Sequence, residues 1–251
     1  KPPKLKKFII SEVGAGQGVA APKDFINPLP ILQALDDFEG DETLWTGILC
    51  ANGPAFSAGA DLKAISAGEL NLATKRGGFG GIVARERVKP LIAAVDGPAL
   101  AGGTELALAC DLIVASTAAR FGLPEVKRSL IASAGGLVRL PRVLPKNIAM
   151  QMALTGEPIT AEDAYKFGMV NSLVDAGGAL EEAISLANII NQNAPLAVRS
   201  TRRSLLESLT LNDYEGMKFA IEETAALTET EDYKEGPLAF IEKRPPVWKG
   251  K

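Results

Sequence analysis

The stretch "VKPLIAAVDGPALAGGTELALACDLIVAST", Val88 to Thr117, narrows the possible folds more than any other part of the chain. Its two short runs "LIAAV" and "LIVAS" carry no charge. A strand with one wet face alternates apolar and polar residues, so unbroken apolar runs of this length suit a sheet buried on both faces. Between them "ALAGGTELALA" reads as a helix. "LKKFIISEV" and "WTGILCAN" add strands, with an amphipathic helix around "PILQALDDFEGD" before the second. Beyond Gly135-Gly136, "LVRLPRVLPKNIAMQMALTG" is mostly helical, and "TAEDAYKFG" is a helix with an N-cap at Thr160 and a stop at Gly168. "MVNSLVD" is a short strand, and from Gly178 the pattern stays helical through "TLNDYEGMKFAIEETAALT". Strands and helices alternate first and helices dominate last, which defines an α/β core with a helical C-terminal region.

The helix raises a question of charge. Glu105 stands among small and apolar neighbours, with Ala101, Leu108 and Ala109 one turn away. An unpaired buried carboxylate costs several kcal/mol unless it is paired or protonated. Two explanations fit the local sequence. Glu105 can be a first-turn acid favoured by the helix dipole after a tight strand-to-helix turn. Alternatively, Gly102 and Gly103 let a ligand approach free N–H groups at the helix start, with Glu105 beside it.

Composition restricts the chemistry. The chain has 251 residues, a net charge of −3 and no histidine. Ser-His-Asp triads, Cys-His dyads and histidine-held metals are therefore excluded within it, and no metal site is expected. Acid–base work near neutral pH falls to tuned carboxylates, lysines, tyrosines or cysteines. The absence of clustered positive charge argues against nucleic-acid or anionic-membrane surfaces. Cys50 and Cys110 lie in apolar runs and read as small core residues. The basic start "KPPKLKKF" is followed by no sustained apolar stretch, and no run reaches membrane-spanning length, so a soluble cytoplasmic protein is expected. "VGAGQGVA", Val13 to Ala20, supplies only the first two glycines of a dinucleotide fingerprint, and a β-turn is the expectation there.

A second carboxylate, Glu125 in "ARFGLPEVKRSL", follows a glycine and a proline beyond the strand "DLIVAST". Helix, strand and return loop can bring it back toward Glu105. Two carboxylates in an apolar pocket have their pKa values pushed apart, leaving one as acid and one as base. With backbone N–H groups to hold an oxyanion, such a pair suits addition of water to an activated double bond.

Three segments, "NGPAFSAGADLKAI", "VKPLIAAVDGPALAGGTELALACDLIVAS" and "ARFGLPEVKRSLIASAGGLVRLPR", together resemble the crotonase (enoyl-CoA hydratase/isomerase) superfamily, in order and over roughly residues 27 to 251. "EGPLAFIEKRPPVWKGK" and "GGFGGIV" look closest to its carnitinyl-CoA dehydratase (crotonobetainyl-CoA hydratase) branch. The resemblance implies a crotonase spiral of repeated ββα units over residues 1–178, with a C-terminal helical trimerisation region over 179–251. It implies amides of Ala60 and Gly102 as oxyanion-hole donors, each worth about 3–4 kcal/mol. Glu105 would act mainly as base, and Glu125 would deliver a proton to the α-carbon. The adenine of coenzyme A would lie by the "SAGADL" loop, implicating Ala58, Ala60 and Leu62. Phe240 and Lys243 would complete a neighbouring subunit's coenzyme A site. Ser133 replaces a frequent glycine in a water-positioning loop. "GVAAPKDFINPLPIL" departs from the family's Asn-Arg-Pro pattern and carries no arginine. Coenzyme A belongs to the substrate, so no separate cofactor is implied, and the expected assembly is a homotrimer or a hexamer as a dimer of trimers. The leading expectation is a 2-enoyl-CoA hydratase or dehydratase. A crotonase of another reaction type and a non-catalytic acyl-CoA-binding homologue are the alternatives.

Overall fold

The apolar runs divide their side chains between two cores. In the computed structural model, which describes residues 28–60 and 73–251, β1 (Gly47–Cys50), β4 (Leu91–Val95), β6 (Leu112–Ser116) and β9 (Ser172–Val174) form one sheet in the order β1-β4-β6-β9. All three pairings are parallel, with Ile48 opposite Ile92 and Ala94 opposite Val114. Successive strand residues point to opposite faces. Leu49, Leu91, Ala93, Val95, Ile113 and Ala115 therefore enter the main core, while Ile48, Cys50, Ile92, Ala94 and Val114 enter a second one. Both faces are dry, which is why the sequence shows no polar alternation.

Helix α6 (Ala179–Ile190) covers the second face through Ala179, Ala183 and Ala187, spaced a turn apart. Their small side chains let the helix lie close to the sheet. The boundary drawn at residue 178 from sequence falls immediately before this covering helix. Helix α1 (Pro28–Gly40) sends Ile31, Leu35 and Phe38 into the main core. Its end is held by a buried lysine. Lys89 Nζ donates to the carbonyls of Phe38 (2.6 Å) and Asp41 (2.7 Å), where a helix C-terminus attracts a cation.

The remaining short strands are held by distant partners. β5 (Ala99–Leu100), β7 (Arg120–Gly122) and β8 (Ile159–Thr160) form a second sheet, and β2 (Ala73–Thr74) pairs with β3 (Gly78–Phe79). The chain thus passes from β4 to β5 and into α2 (Gly102–Leu108), then from β6 to β7 and into a 3₁₀ turn, Pro124–Arg128. This is the ββα succession that the resemblance implies, its second unit ending in a 3₁₀ turn. The helix expected over residues 99–109 begins only at Gly102, because Ala99 and Leu100 are claimed by β7. The helical stretch after Gly135 is divided by Pro145 into α3 (Gly136–Val143) and α4 (Lys146–Thr155). Helix α5 (Ala161–Lys166) carries the expected cap, Thr160 Oγ1 accepting from Asp163 N–H at 3.2 Å.

Beyond α6 come α7 (Pro195–Glu207), α8 (Asp213–Leu227) and α9 (Glu231–Ile241). Helix α9, with Pro237 inside it, lies within the helical region expected over 179–251, though no separate helix was drawn there from sequence. Among the described residues no helix is long and apolar enough to cross a membrane. "LKKFIISEV", "VGAGQGVA" and Leu62 lie outside the described residues.

Buried charge joins the C-terminal helices to the core. Asp111 accepts from Arg87 (3.1 Å), from Arg202 of α7 (2.9 Å) and from the Leu91 N–H (2.8 Å). Burial alone would push its carboxyl up, but the two arginines hold it below the ordinary range. Replacing Asp111 with alanine leaves both guanidinium groups without the carboxylate that offsets their charge. The expected loss is about 3–5 kcal/mol of stability, read from urea denaturation midpoints of wild type and variant at pH 7.

Candidate active site

The site begins where a loop lies on the start of a helix. Phe56 and Ser57 N–H groups donate to the Pro98 carbonyl (3.0 and 3.2 Å), and Leu100 N–H donates to the Ser57 carbonyl (2.8 Å). Gly59 then turns through φ +87° and meets α2 so closely that a Cβ there would stand 2.8 Å from Gly102 N. A Cβ on Gly103 would overlap the Ser57 carbonyl, and one on Gly102 would overlap the ring of Phe79. Both glycines of the pair are therefore required by backbone and ring approach rather than by turn geometry. Ala101 takes a left-handed φ of 50°, and its N–H is held by the Gly122 carbonyl (2.8 Å). Such a backbone costs about 1–3 kcal/mol for a residue with a Cβ. Thr104 fastens the turn from within: its hydroxyl donates to Ala99 O (2.6 Å) and accepts from Gly122 N–H (3.0 Å). The result sets Gly59, next to Ala60, against the start of α2, where the first N–H groups of a helix have no acceptor inside it.

Glu105 hangs from this helix and is 4% exposed. Its Oε1 accepts from the N–H of Gly136, the first residue of α3, at 2.9 Å. Gly135 supplies the turn with φ +100°, and a Cβ on Gly136 would come to 3.0 Å of the carboxylate oxygen. Burial pushes the Glu105 carboxyl above the ordinary range. The amides of Gly136 and Ala134 pull against that shift, Glu125 adds to it, and Arg139 opposes it.

Glu125 follows Pro124 in the 3₁₀ turn and is half-buried. Its Oε2 is buried with no hydrogen-bond partner among the described residues, and burial pushes this carboxyl up as well. The return from β7 has thus brought the second carboxylate within electrostatic reach of the first. Two carboxyls both pushed up by burial, with the charge of Glu125 felt at Glu105, can divide into one acid and one base.

The other residues singled out from sequence are scattered. Ala58 is exposed and Ala60 half-buried on the loop. Ser133 is exposed, and its N–H donates to the Ile131 carbonyl (2.8 Å). The neighbouring amides of Ala134 and Gly136 bond Glu105. Phe240 is 85% exposed on α9, and Lys243 lies just beyond it at φ 54°. Among the described residues no hydrogen bond or ion pair ties either one to the glutamates or the 57–60 loop. The sequence reading missed Phe79, Thr104, Gly136 and Arg139. Only Gly136 had a visible signal, as the second member of another glycine pair.

A parallel sheet feeding short helices, two converging glutamates and a glycine-lined helix start define a crotonase-fold enzyme. The family described as Enoyl-CoA hydratase/isomerase matches residues 29–251, and this chain belongs to it. A carnitinyl-CoA dehydratase of Salmonella arizonae is 40% identical over 225 residues, covering 87% of this chain and 86% of the relative. An enoyl-CoA hydratase of Mycobacterium tuberculosis is 39% identical over 222 residues, covering 86% and 84%. The crystal structure of an enoyl-CoA hydratase from Mycobacterium tuberculosis H37Rv superposes with a TM-score of 0.86 at 46% identity, over 89% of this chain and 88% of that one.

The glycine requirement can be checked directly. Gly103→Ala overlaps a backbone carbonyl and is expected to cost about 1–3 kcal/mol. Gly216→Ala, inside α8 where the nearest atom to a new Cβ is 3.8 Å away, is expected to gain up to about 1 kcal/mol. Thermal midpoints of the two variants against wild type make the comparison.

Proposed function

We propose that the chain adds water to a 2-enoyl-CoA thioester, or removes it from the 3-hydroxyacyl-CoA. The observation that carries this reading is that half-buried Glu125 lies within electrostatic reach of buried Glu105 on the glycine-lined start of α2, both carboxyls being pushed up by burial. In this reading the thioester carbonyl oxygen takes the amides of Ala60 and Gly102. Ionised Glu105 accepts a proton from water as its oxygen bonds to the β-carbon. The electron pair of the double bond moves toward the thioester and is held as an enolate by the two amides. Protonated Glu125 then gives its proton to the α-carbon. Transfer of the proton from Glu105 back to Glu125 restores the starting state, so one water is consumed per turnover.

Pre-positioned donors matter because they are in place before charge develops, when water would still have to reorient. The adenine of coenzyme A is placed against the loop at Ala58 and Ala60. Coenzyme A enters as part of the substrate, and no further cofactor is proposed.

Substitution to glutamine separates chemistry from folding. Glu105→Gln and Glu125→Gln are each expected to lose about 10²–10⁴-fold in hydration rate, and the double variant to be little worse than either. Stability should move the other way. A carboxyl whose folded pKa is raised favours the native state when protonated, and that contribution is lost as pH rises through the folded pKa. At pH 7 both glutamates therefore weaken the fold, and the glutamine variants should melt no lower than wild type. Turnover of crotonyl-CoA, longer enoyl-CoAs and crotonobetainyl-CoA, measured beside thermal midpoints, tests both and selects the acyl group. Undiminished turnover in both single variants would overturn the acid–base roles of the two glutamates, and no turnover in the wild type would favour a binding protein instead.

We further propose that the region after residue 178 mediates assembly into a trimer or a dimer of trimers, bringing Phe240 and Lys243 to a neighbour's coenzyme A site. Leu205, Leu209, Met217 and Ile221 are each more than half exposed on or beside α7 and α8, an apolar surface of the sort that marks an interface. Light scattering at micromolar concentration is expected to give three or six times the chain mass, and a monomer would overturn the proposal.

A further inference from the structure

Arg139 ties together two parts of the site that no backbone hydrogen bond connects. It lies one turn into α3, and its guanidinium Nη2 donates to the Val83 carbonyl at 2.5 Å. Its Nη1 packs over Gly135 so closely that a Cβ there would overlap it, and its own N–H donates to the Gly135 carbonyl (2.9 Å). The side chain thus braces the turn that aims the Gly136 N–H at Glu105. Val83 belongs to a knotted segment: Ala84 N–H reaches the Gly77 carbonyl (3.0 Å), and Ile82 and Val83 N–H groups reach that of Phe79 (3.3 and 3.4 Å). The same segment lays the Phe79 ring against Gly102, at the start of α2.

We infer that Arg139 is a positioning residue: it fixes the Gly136 turn under Glu105 and the Phe79 ring over Gly102 relative to each other, and places a positive charge beside the catalytic base. The inference rests on the hydratase reading given above. Arg139 contacts no reacting atom in that scheme. It works through Glu105 and through the amide at residue 102.

The surrounding charges set the direction of the effect. Glu105 is faced by Glu125 from the 3₁₀ turn, by the amides of Ala134 and Gly136, and by Arg139 from α3. Arg139 in turn is faced by Arg87, Arg142, Glu105 and Cys110. The Cys110 thiol, pushed up to about 12 by burial, stays neutral across the working range. Removing the Arg139 charge therefore leaves Glu105 opposed by Glu125 without its cationic neighbour. Its carboxyl then holds a proton to higher pH, and the base is lost sooner on acidification.

The test compares Arg139→Met and Arg139→Lys with wild type and Glu105→Gln, using crotonyl-CoA. Arg139→Met is expected to lower kcat by roughly 10–100-fold, the scale of a misplacement of about 1 Å, with little change in KM. The acidic limb of its pH profile should move upward. Arg139→Lys keeps the charge but loses the planar fork that spans Val83 and Gly135. It should leave the acidic limb near the wild-type position while kcat still falls, and it carries the test alone if Arg139→Met does not fold. Wild-type kcat and an unmoved acidic limb in folded Arg139→Met, or wild-type kcat in Arg139→Lys should the methionine variant not fold, beside an inactive Glu105→Gln, would overturn the positioning role alone. A fully active Glu105→Gln would overturn the base role given to Glu105 in the hydratase reading, and this inference with it.

Discussion

Everything in the site hangs on two pieces of backbone lying closer than side chains allow. The Ser57 carbonyl occupies the space where a Cβ of residue 103 would stand, and Gly59 comes within a bond's reach of the same helix start. Because the loop is also bonded to β5 through Pro98, Ser57 and Leu100, the approach is enforced from both ends. The strained turn at Ala101 follows from that closeness. It persists because β7 and Thr104 hold it on the other side. Glu105 then inherits its position from the helix that these contacts fix.

A second tier of constraint is electrostatic. Lys89 closes the end of α1, and Asp111 gathers Arg87, Arg202 and the first amide of β4 at the other end of α2. Arg87 also donates to the Ala109 carbonyl at 2.6 Å, capping α2 itself. The helix bearing Glu105 is thus pinned at its start by glycine contacts and at its end by buried charge. Neither end depends on Glu105, so the carboxylate is free to titrate without the helix being asked to move.

What could be read from sequence divides along the range of the interactions. Uncharged strands β4 and β6, the helix between them and the anomalous Glu105 were legible because each announces itself within a few residues. Glu125 was legible as a candidate, though its nearness to Glu105 is a product of the β7 return. The two- and three-residue strands of the second sheet were invisible, since only their pairing across distant segments makes them strands. Pro237 reads as a helix breaker, yet α9 runs through it, started by the Thr230 cap on Tyr233 N–H (3.1 Å) and braced where Asp232 accepts from Lys249 and Gly250 (2.7 and 2.8 Å). The amide donor of Ala134 had no residue signature, because any amino acid carries an N–H, and Gly136 showed only as half of a glycine pair. Ser133 was named in their place for its departure from a family pattern, and its side chain carried no information about the neighbouring amides.

The parallel order β1-β4-β6-β9 has a kinetic consequence. No neighbouring pair can close by a hairpin, so every pairing waits for a crossover, and the longest must bring Ser172–Val174 back to Val114–Ser116. Such non-local closure is slow compared with helix formation. During synthesis β1, β4 and β6 are complete well before β9 and α6 exist, leaving Ile48, Ile92, Ala94 and Val114 without their cover. The nascent chain therefore passes through a stage in which the half carrying both glutamates is made and one face of its sheet is bare. Chaperone dependence and aggregation on refolding should be governed by how quickly the alanine-faced helix arrives, and little by the site itself.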